Sequence, residues 1–176
     1  MIMLQNLFRT RPRERLGEPL YELAVRQARD PGFYTRMGVA DRIDARFELY
    51  TLHVLLLVMR LRDEGEAGAE IGQALFDAYV SALDHALREL GVGDVAVGKK
   101  KRKLGEALYG RMQAYEAALR AGEADALAAA LARNVLESEN PDAGRELARY
   151  ALDSRTRLAK QTLTALEKGP DWAELD

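Results

Sequence analysis

The chain has 176 residues, which gives room for one domain with a sizeable core. Ala and Leu together supply 55 residues whereas Val and Ile supply 12, so the composition excludes an all-β domain and disfavours a parallel α/β sheet. With 48% hydrophobic and 31% charged residues, no Cys and a net charge of −2, the chain is neither a disordered tail nor a membrane protein, and it has no thiol chemistry. We expect an all-α protein, a single bundle of about six helices.

The first predicted helix begins near Gly17, where Pro19 suits the first helical turn. An Asp-Pro-Gly sequence at 30–32 ends this helix, because Pro and Gly favour a turn there. A short aromatic connector follows over residues 33–39.

The second predicted helix covers about 42–63, with Asp41 as its candidate N-cap. Its second half is apolar nearly all round, which is typical of a helix in the middle of a bundle. Apolar residues at three- and four-residue steps predict a third helix over about 66–90 and a fourth over about 98–121.

A fifth helix is predicted around 127–135, where apolar residues recur at the same spacing. Asn140 and Pro141 are typical of an N-cap and the first residue of a sixth helix, which we expect to run to about Lys168. Neither an internal repeat nor a long linker divides the chain, so residues 17–176 are expected to form one helical domain.

The small net charge hides two basic segments on an acidic body. Residues 1–16 carry four Arg and one Glu, and residues 99–111 carry six basic residues and one acidic residue. We interpret 1–16 as a basic N-terminal segment that is either a membrane-surface anchor or a flexible tail. Its apolar part is too short for an export signal, so we expect a cytoplasmic protein, with peripheral binding at the cytoplasmic face of the inner membrane left open.

The run Lys99–Lys103 contains five adjacent cations at the start of a predicted helix. Mutual repulsion and the positive end of the helix dipole both disfavour such a run. The run is interpreted either as a solvated charged surface or as a contact for an anionic partner such as RNA, lipid headgroups or an acidic protein.

Candidate catalytic or metal-binding residues are sparse. His53 and His85 are the two histidines, and we interpret them as core or boundary residues rather than as ligands of a metal or of haem. Asp41, Asp44 and Glu48 share a helix flank with interleaved Arg residues, a pattern typical of capping and surface pairing. We expect no cofactor and no enzymatic activity.

An ordered series of segments extends over about residues 20–120. The segments are Phe33-Tyr-Thr-Arg-Met-Gly-Val39, Asp44-Ala-Arg-Phe-Glu48, Leu52-His-Val-Leu55, Leu75-Phe-Asp-Ala-Tyr79, Asp84-His-Ala-Leu-Arg-Glu-Leu-Gly-Val-Gly-Asp94 and Val97-Gly-Lys99 through Tyr109-Gly-Arg111. This series resembles the ubiquinol–cytochrome c chaperone family, bacterial relatives of the mitochondrial assembly factor for cytochrome b. Two positions depart from the family pattern, since Ala45 replaces its usual Gly and Leu108 its usual aromatic residue.

The resemblance implies a non-enzymatic assembly factor that binds newly made cytochrome b and supports assembly of ubiquinol–cytochrome c reductase, respiratory complex III. The mitochondrial relative works with a small partner protein and contacts the ribosome, so the resemblance implies these as further interactions. The net charge of −2 gives no reason to expect an interaction with DNA. The alternative, from the residues themselves, is an RNA- or ribosome-binding module that uses the basic run.

We expect two kinds of partner-binding residue. The first kind makes polar contacts and comprises Asp94, Lys99, Lys100, Lys101, Arg102, Lys103 and Arg111. The second kind makes apolar contacts and comprises Phe33, Tyr34 and Tyr109.

Overall fold

The computed structural model describes residues 14–89 and 94–175. This part of the chain forms eight α-helices and two 3-10 turns, Glu14–Leu16 and Pro141–Gly144, and contains no strand. The predicted all-α class is confirmed, and six of the helices have at least twelve residues. The helices are α1 (Gly17–Ala28), α2 (Pro31–Thr35), α3 (Ile43–Arg62), α4 (Glu66–Glu89), α5 (Asp94–Ala121), α6 (Ala124–Val135), α7 (Arg145–Leu158) and α8 (Leu163–Lys168).

Helix α3 lies at the centre of the bundle, as its apolar sequence predicts. Every residue from Glu48 to Leu61 is buried. The helix contacts α1, α4, α5, α6 and α7, so its apolar side chains are covered on all sides. A helix that is apolar all round is stable only in such surroundings, and this explains why its neighbours are amphipathic.

Glycines allow α1 and α3 to approach α4 closely. Gly17 of α1 lies against the backbone carbonyl of Ala74, and Gly68 of α4 lies against the carbonyl of Leu61. A Cβ atom at either glycine would overlap that carbonyl group. Helices α1 and α4 pack together on one side of the central helix α3.

Helices α6 and α7 form the other side, joined through the 3-10 turn at 141–144. The Asn140 side chain accepts a hydrogen bond from the Asp142 N–H (3.1 Å), which confirms the predicted cap. Gly144 at the end of the turn lies against the carbonyl of Ala128 in α6. The absence of a side chain at Gly144 therefore sets the distance between α6 and the start of α7.

The last described residues, 169–175, form an irregular segment that we call the C-terminal strap. Its backbone is held by side chains of α7 and of the loop after it. The Asp171 N–H donates to Gln161 Oε1 (2.8 Å), and the Ala173 N–H donates to Ser154 Oγ (3.0 Å). The strap therefore closes over α7 instead of leaving the protein surface.

The structure corrects the predictions for the connector and for the start of the second helix. The connector at 33–39 begins inside α2, because the Asp30 side chain accepts from the Gly32 N–H (2.8 Å) and starts a new helix. Asp41 is not the N-cap of α3. It accepts from Arg46 Nε (2.8 Å), and Arg42 occupies the cap position without a side-chain cap bond.

The predicted sixth helix is divided into the 3-10 turn, α7 and α8. Arg60 of α3 donates to the carbonyl oxygens of Leu158 (3.0 Å) and Gln161 (2.6 Å), which stabilises the end of α7. Thr162 then accepts from the Ala165 N–H (3.3 Å) and begins α8. The predicted fourth helix is α5, which begins at Asp94, four residues before the expected start.

A membrane-spanning helix needs both sufficient length and sufficient hydropathy. None of the helices of residues 14–89 and 94–175 meets both requirements.

Candidate interaction groove

An open groove lies where the first half of α3, the second half of α4 and the middle of α5 meet. We call it the α3–α5 groove, and its cavity has a volume of about 260 Å³. Its apolar walls come from all three helices and comprise Phe47, Leu83, Leu87 and Leu108. Ile43 stands at its edge with 53% of its surface exposed, the exposure of a residue without a cover.

Glu48 is a buried charged residue of α3 that lies inside this groove. It is only 8% exposed, and its Oε1 lies 2.6 Å from Nη1 of Arg111 on α5. Its second oxygen, Oε2, is buried and has no hydrogen-bond partner among the described residues. Glu48 is thus half satisfied, which is unusual because buried polar atoms in native proteins nearly always have partners.

Burial raises the pKa of Glu48 to about 7, since removal from water disfavours the charged carboxylate. The nearby Arg111 guanidinium opposes this effect, and the Asp44 carboxylate adds to it. The interpretation of Glu48 as part of a surface pair is therefore wrong. It lies between Phe47 and Leu49 in sequence, and this apolar surrounding is the signal that indicates burial.

Two other polar side chains on the floor of the groove are paired. Thr51 Oγ1 donates to the carbonyl of Phe47 (2.8 Å) and accepts from the hydroxyl of Tyr79 (2.6 Å). Tyr79 is fully buried, and burial raises its pKa above that of a free phenol. Glu48 Oε2 is therefore, among the described residues, the buried side-chain oxygen of this groove that lacks a partner.

A second, shallower cavity of about 340 Å³ continues from the groove across the other flank of α3. The two cavities share Ile43, Phe47 and Ala86. In the second cavity, Arg29 Nε donates to the hydroxyl of Tyr50 (2.9 Å). The Arg29 guanidinium lies over the Tyr50 ring, with Cζ 5.8 Å from the ring centroid. The exposed end of α3 thus separates two connected depressions.

The sequence-predicted polar contact residues are only partly described. The side chains of Asp94, Lys99, Lys100 and Lys101 lie outside the described residues. Those of Arg102 and Lys103 are exposed, and Arg102 Nε lies 3.7 Å from Glu106 Oε1 on the next turn of α5. Arg111 lies in the groove and pairs with Glu48, so the structure brings it to a different place from the basic run.

The sequence-predicted aromatic residues lie in three different environments. Phe33 is fully buried against His53 and Tyr150, with ring centroids 5.4 and 5.0 Å away. Tyr34 is half-buried and its hydroxyl donates to the carbonyl of Ala28. Tyr109 is 65% exposed on α5, the highest exposure among large hydrophobic side chains of the described residues. Its role in partner binding stays a prediction.

His53 is a core histidine, as the sequence analysis expects. Nδ1 donates to the carbonyl of Leu49 (2.7 Å), so Nε2 accepts from the hydroxyl of Tyr150 (2.8 Å). Complete burial lowers its pKa to about 4, and the ring is therefore neutral at pH 7. His85 is exposed beside Glu89 on α4, so the two histidines do not form one site. Residues 14–89 and 94–175 contain no cluster of three or more His, Asp or Glu placed to hold a metal.

The all-α fold carries an open apolar groove with a largely buried ion pair and, on α5, an exposed aromatic residue. These features are typical of the class of proteins that bind another polypeptide. Comparison with known families specifies this class further. A family model described as "Ubiquinol-cytochrome C chaperone" matches residues 35–172, most of the chain, so the chain belongs to this family. The resemblance found in the sequence is thereby confirmed.

Two relatives illustrate the match. The protein named ubiquinol-cytochrome-c reductase complex assembly factor 1 in Xenopus laevis is 23% identical over 123 residues, 70% of this chain. The match spans 61% of the length of that relative. The crystal structure of the Cbp3 homolog from Brucella abortus is 36% identical, with a TM-score of 0.82, and the match covers 93% of this chain and 91% of that one.

Proposed function

We propose that this protein is an assembly factor for ubiquinol–cytochrome c reductase (respiratory complex III) that binds newly made cytochrome b. The observation that carries the proposal is the family match over residues 35–172. The name of the Xenopus laevis relative, an assembly factor for this complex, supports the same conclusion. The α3–α5 groove supplies a surface on which a polypeptide can bind, and the protein acts in this proposal by binding rather than by catalysis.

The proposed place of action is the cytoplasm, with peripheral binding at the cytoplasmic face of the inner membrane as a further part of the proposal. A small partner protein is part of the proposal, because the family resemblance implies one. No DNA contact is proposed, since the net charge of the chain is −2.

Deletion of the gene in a respiring bacterium tests the proposal. We expect less assembled complex III and lower haem absorbance from cytochrome b, both restored by a plasmid copy of the gene. Affinity purification from the same cells should recover cytochrome b with the tagged protein. Normal complex III in a clean deletion strain would refute the assembly function, and normal recovery of cytochrome b with an unrelated tagged protein would refute its specificity.

The second candidate function is binding of RNA or the ribosome through the run Lys99–Lys103. The exposure of Arg102 and Lys103 favours it, because both cations lie at the surface in the first half of the long helix α5. The run begins five residues after the start of α5 at Asp94, and not at the helix start as the sequence predicts. Such binding is electrostatic and weakens steeply as salt rises. Co-sedimentation with ribosomes should be lost when the five positions become Ala. Equal co-sedimentation of this variant and the wild-type protein would exclude the run as the contact.

A further inference from the structure

Glu48 gives the α3–α5 groove a buried polar atom that has no partner among the described residues. Oε1 of Glu48 is held by Arg111 at 2.6 Å, whereas no described residue donates to the buried Oε2. A carboxylate oxygen without a donor is unfavourable away from water, and a donor brought by a bound molecule would relieve the imbalance. The arrangement therefore favours a ligand that presents an N–H group to the floor of the groove.

The charge of the groove agrees with a cationic donor. Among the described residues, three charged side chains line it: Asp44 and Glu48 from α3 and Arg111 from α5. The described residues that α4 contributes are Tyr79 and three uncharged aliphatic side chains, so ionisation of Glu48 gives this described lining a net charge of −1. One Lys or Arg side chain would neutralise it. An anionic ligand such as a phosphate or a lipid headgroup would meet two carboxylates and one guanidinium that is already paired.

The apolar walls set the remaining requirement. Phe47, Leu87 and Leu108 surround Glu48, and Ile43 extends the apolar surface to the edge of the groove. A volume of about 260 Å³ holds a few side chains and not a folded domain. A helix that places apolar side chains and one cation on the same face meets both requirements, as in other helix-in-groove complexes.

We propose that the α3–α5 groove binds a helical segment of the client polypeptide, with apolar side chains against Phe47 and Leu87 and one Lys or Arg that donates to Glu48 Oε2. The proposal rests on the proposed function, because it takes cytochrome b as the client. It goes further because it names the binding surface, the chemistry of the bound segment and the residue that pairs with the cation of that segment.

Short overlapping peptides that cover the sequence of cytochrome b from the same organism test the proposal. Their affinities for the full-length purified protein are measured by fluorescence anisotropy. We expect the tightest peptide to carry a Lys or Arg among apolar residues. Glu48→Gln should weaken its binding about tenfold, because the amide can no longer form a charge-assisted hydrogen bond. Norleucine in place of that Lys or Arg should weaken binding to the wild-type protein similarly and binding to Glu48→Gln little.

Two further variants keep the result interpretable. Glu146→Gln changes the net charge equally at an exposed position of α7, and this variant should bind the peptide like the wild-type protein. Ala86→Trp fills the groove from α4 without changing its charge and should remove binding. Thermal unfolding of each variant, followed by circular dichroism, shows that lost binding does not reflect lost folding. Unchanged affinity in Glu48→Gln, with the variant folded, would overturn the proposal.

Other occupants give different results. A peptide of residues 1–13 of this chain that displaces the cytochrome b peptide and depends on Glu48 would make the groove a site for its own terminus and would overturn the proposal. Binding of anionic vesicles that Ala86→Trp removes would do the same. If gene deletion lowers complex III but a genomic Glu48→Gln variant restores it and no peptide binds, the groove proposal fails while the assembly function stands. If deletion leaves complex III normal, the assembly function fails. The peptide measurements then still decide whether the groove binds a Lys or Arg side chain.

Discussion

Two buried titratable residues of α3 respond to pH in opposite directions. Burial lowers the pKa of His53 to about 4, so protonation of His53 favours the unfolded state. The free energy of unfolding therefore falls as the pH falls from 6.5 toward 4. Burial raises the pKa of Glu48 to about 7, so its ionisation opposes folding above pH 4.5, and stability returns as the pH falls from 7 toward 4.5. In the wild-type protein the two contributions partly cancel.

Single substitutions should separate these contributions. In Glu48→Gln only the His53 contribution remains. The free energy of unfolding should therefore fall further between pH 7 and pH 4 than it does in the wild-type protein. The difference between the two proteins should be on the order of 3 kcal/mol, the full contribution of Glu48. In His53→Gln the Glu48 contribution remains, so the fall should be shallower than in the wild-type protein. Urea denaturation at several pH values measures both slopes. Three parallel profiles would contradict the opposing roles of the two residues.

At the scale of elements, Arg60 connects the central helix α3 to the end of α7. Its guanidinium is 9% exposed, donates to the carbonyl oxygens of Leu158 and Gln161, and pairs with Glu64 one turn later on its own helix. The last carbonyl groups of a helix have no partner within the helix, so a buried cation there stabilises both the helix end and the loop that follows.

Arg60→Met keeps the apolar stem of the side chain and removes the donors. We expect it to lower the free energy of unfolding by about 3 kcal/mol, because the buried carbonyl of Leu158 and the part-buried carbonyl of Gln161 lose a charged partner. Arg62→Met is the matched control two residues away, since Arg62 is half-exposed and its Nη1 lies 3.4 Å from Glu116 Oε2. That substitution should change stability by less than about 1 kcal/mol. Equal effects of the two substitutions in urea denaturation would refute the role of Arg60.

Replacement of a glycine by Ala should lower stability where two helices meet and raise it on an open helix surface. Gly144→Ala places a Cβ against the carbonyl of Ala128, so α6 and the turn before α7 must separate, at a cost of about 2 kcal/mol or more. Gly110 lies in α5 with open space around its Cα, so Gly110→Ala should increase stability by up to about 1 kcal/mol. Thermal unfolding of both variants checks the signs. A destabilising Gly110→Ala would show that α5 is covered at that position.

The elements that were predictable from sequence are those whose cause is local. The continuous apolar run of α3 and the Asn140 cap lie within single segments, and both are confirmed. The division of the sixth helix depends on Arg60, which is 98 residues from Leu158 in the chain, so helical periodicity alone did not indicate it. The burial of Glu48 likewise depends on Arg111 and on the approach of α5, and no spacing within α3 indicates that approach.

At the scale of the whole molecule, one aromatic cluster connects distant parts of the chain. His53 of α3 contacts Phe33 of α2, Tyr150 of α7 and Trp172 of the C-terminal strap, and its ring centroid lies 5.0 Å from that of Trp172. The Tyr150 hydroxyl donates to Nε2 of His53. Since these contacts join the early helices to the last described residues, the strap belongs to the same core as α3.

This cluster predicts that the helices and the strap unfold in one transition. Trp172 is the only Trp of the chain, so its emission reports the strap, while circular dichroism reports the helices. We expect coincident midpoints in urea, as in a single two-state domain. Truncation after Lys168 should lower the free energy of unfolding by about 3 kcal/mol, because it removes the Trp172 ring from His53 and the Ala173 bond to Ser154. An emission change that precedes the loss of helix would show that the strap detaches by itself, and the expectation of one domain over residues 17–176 would then be wrong.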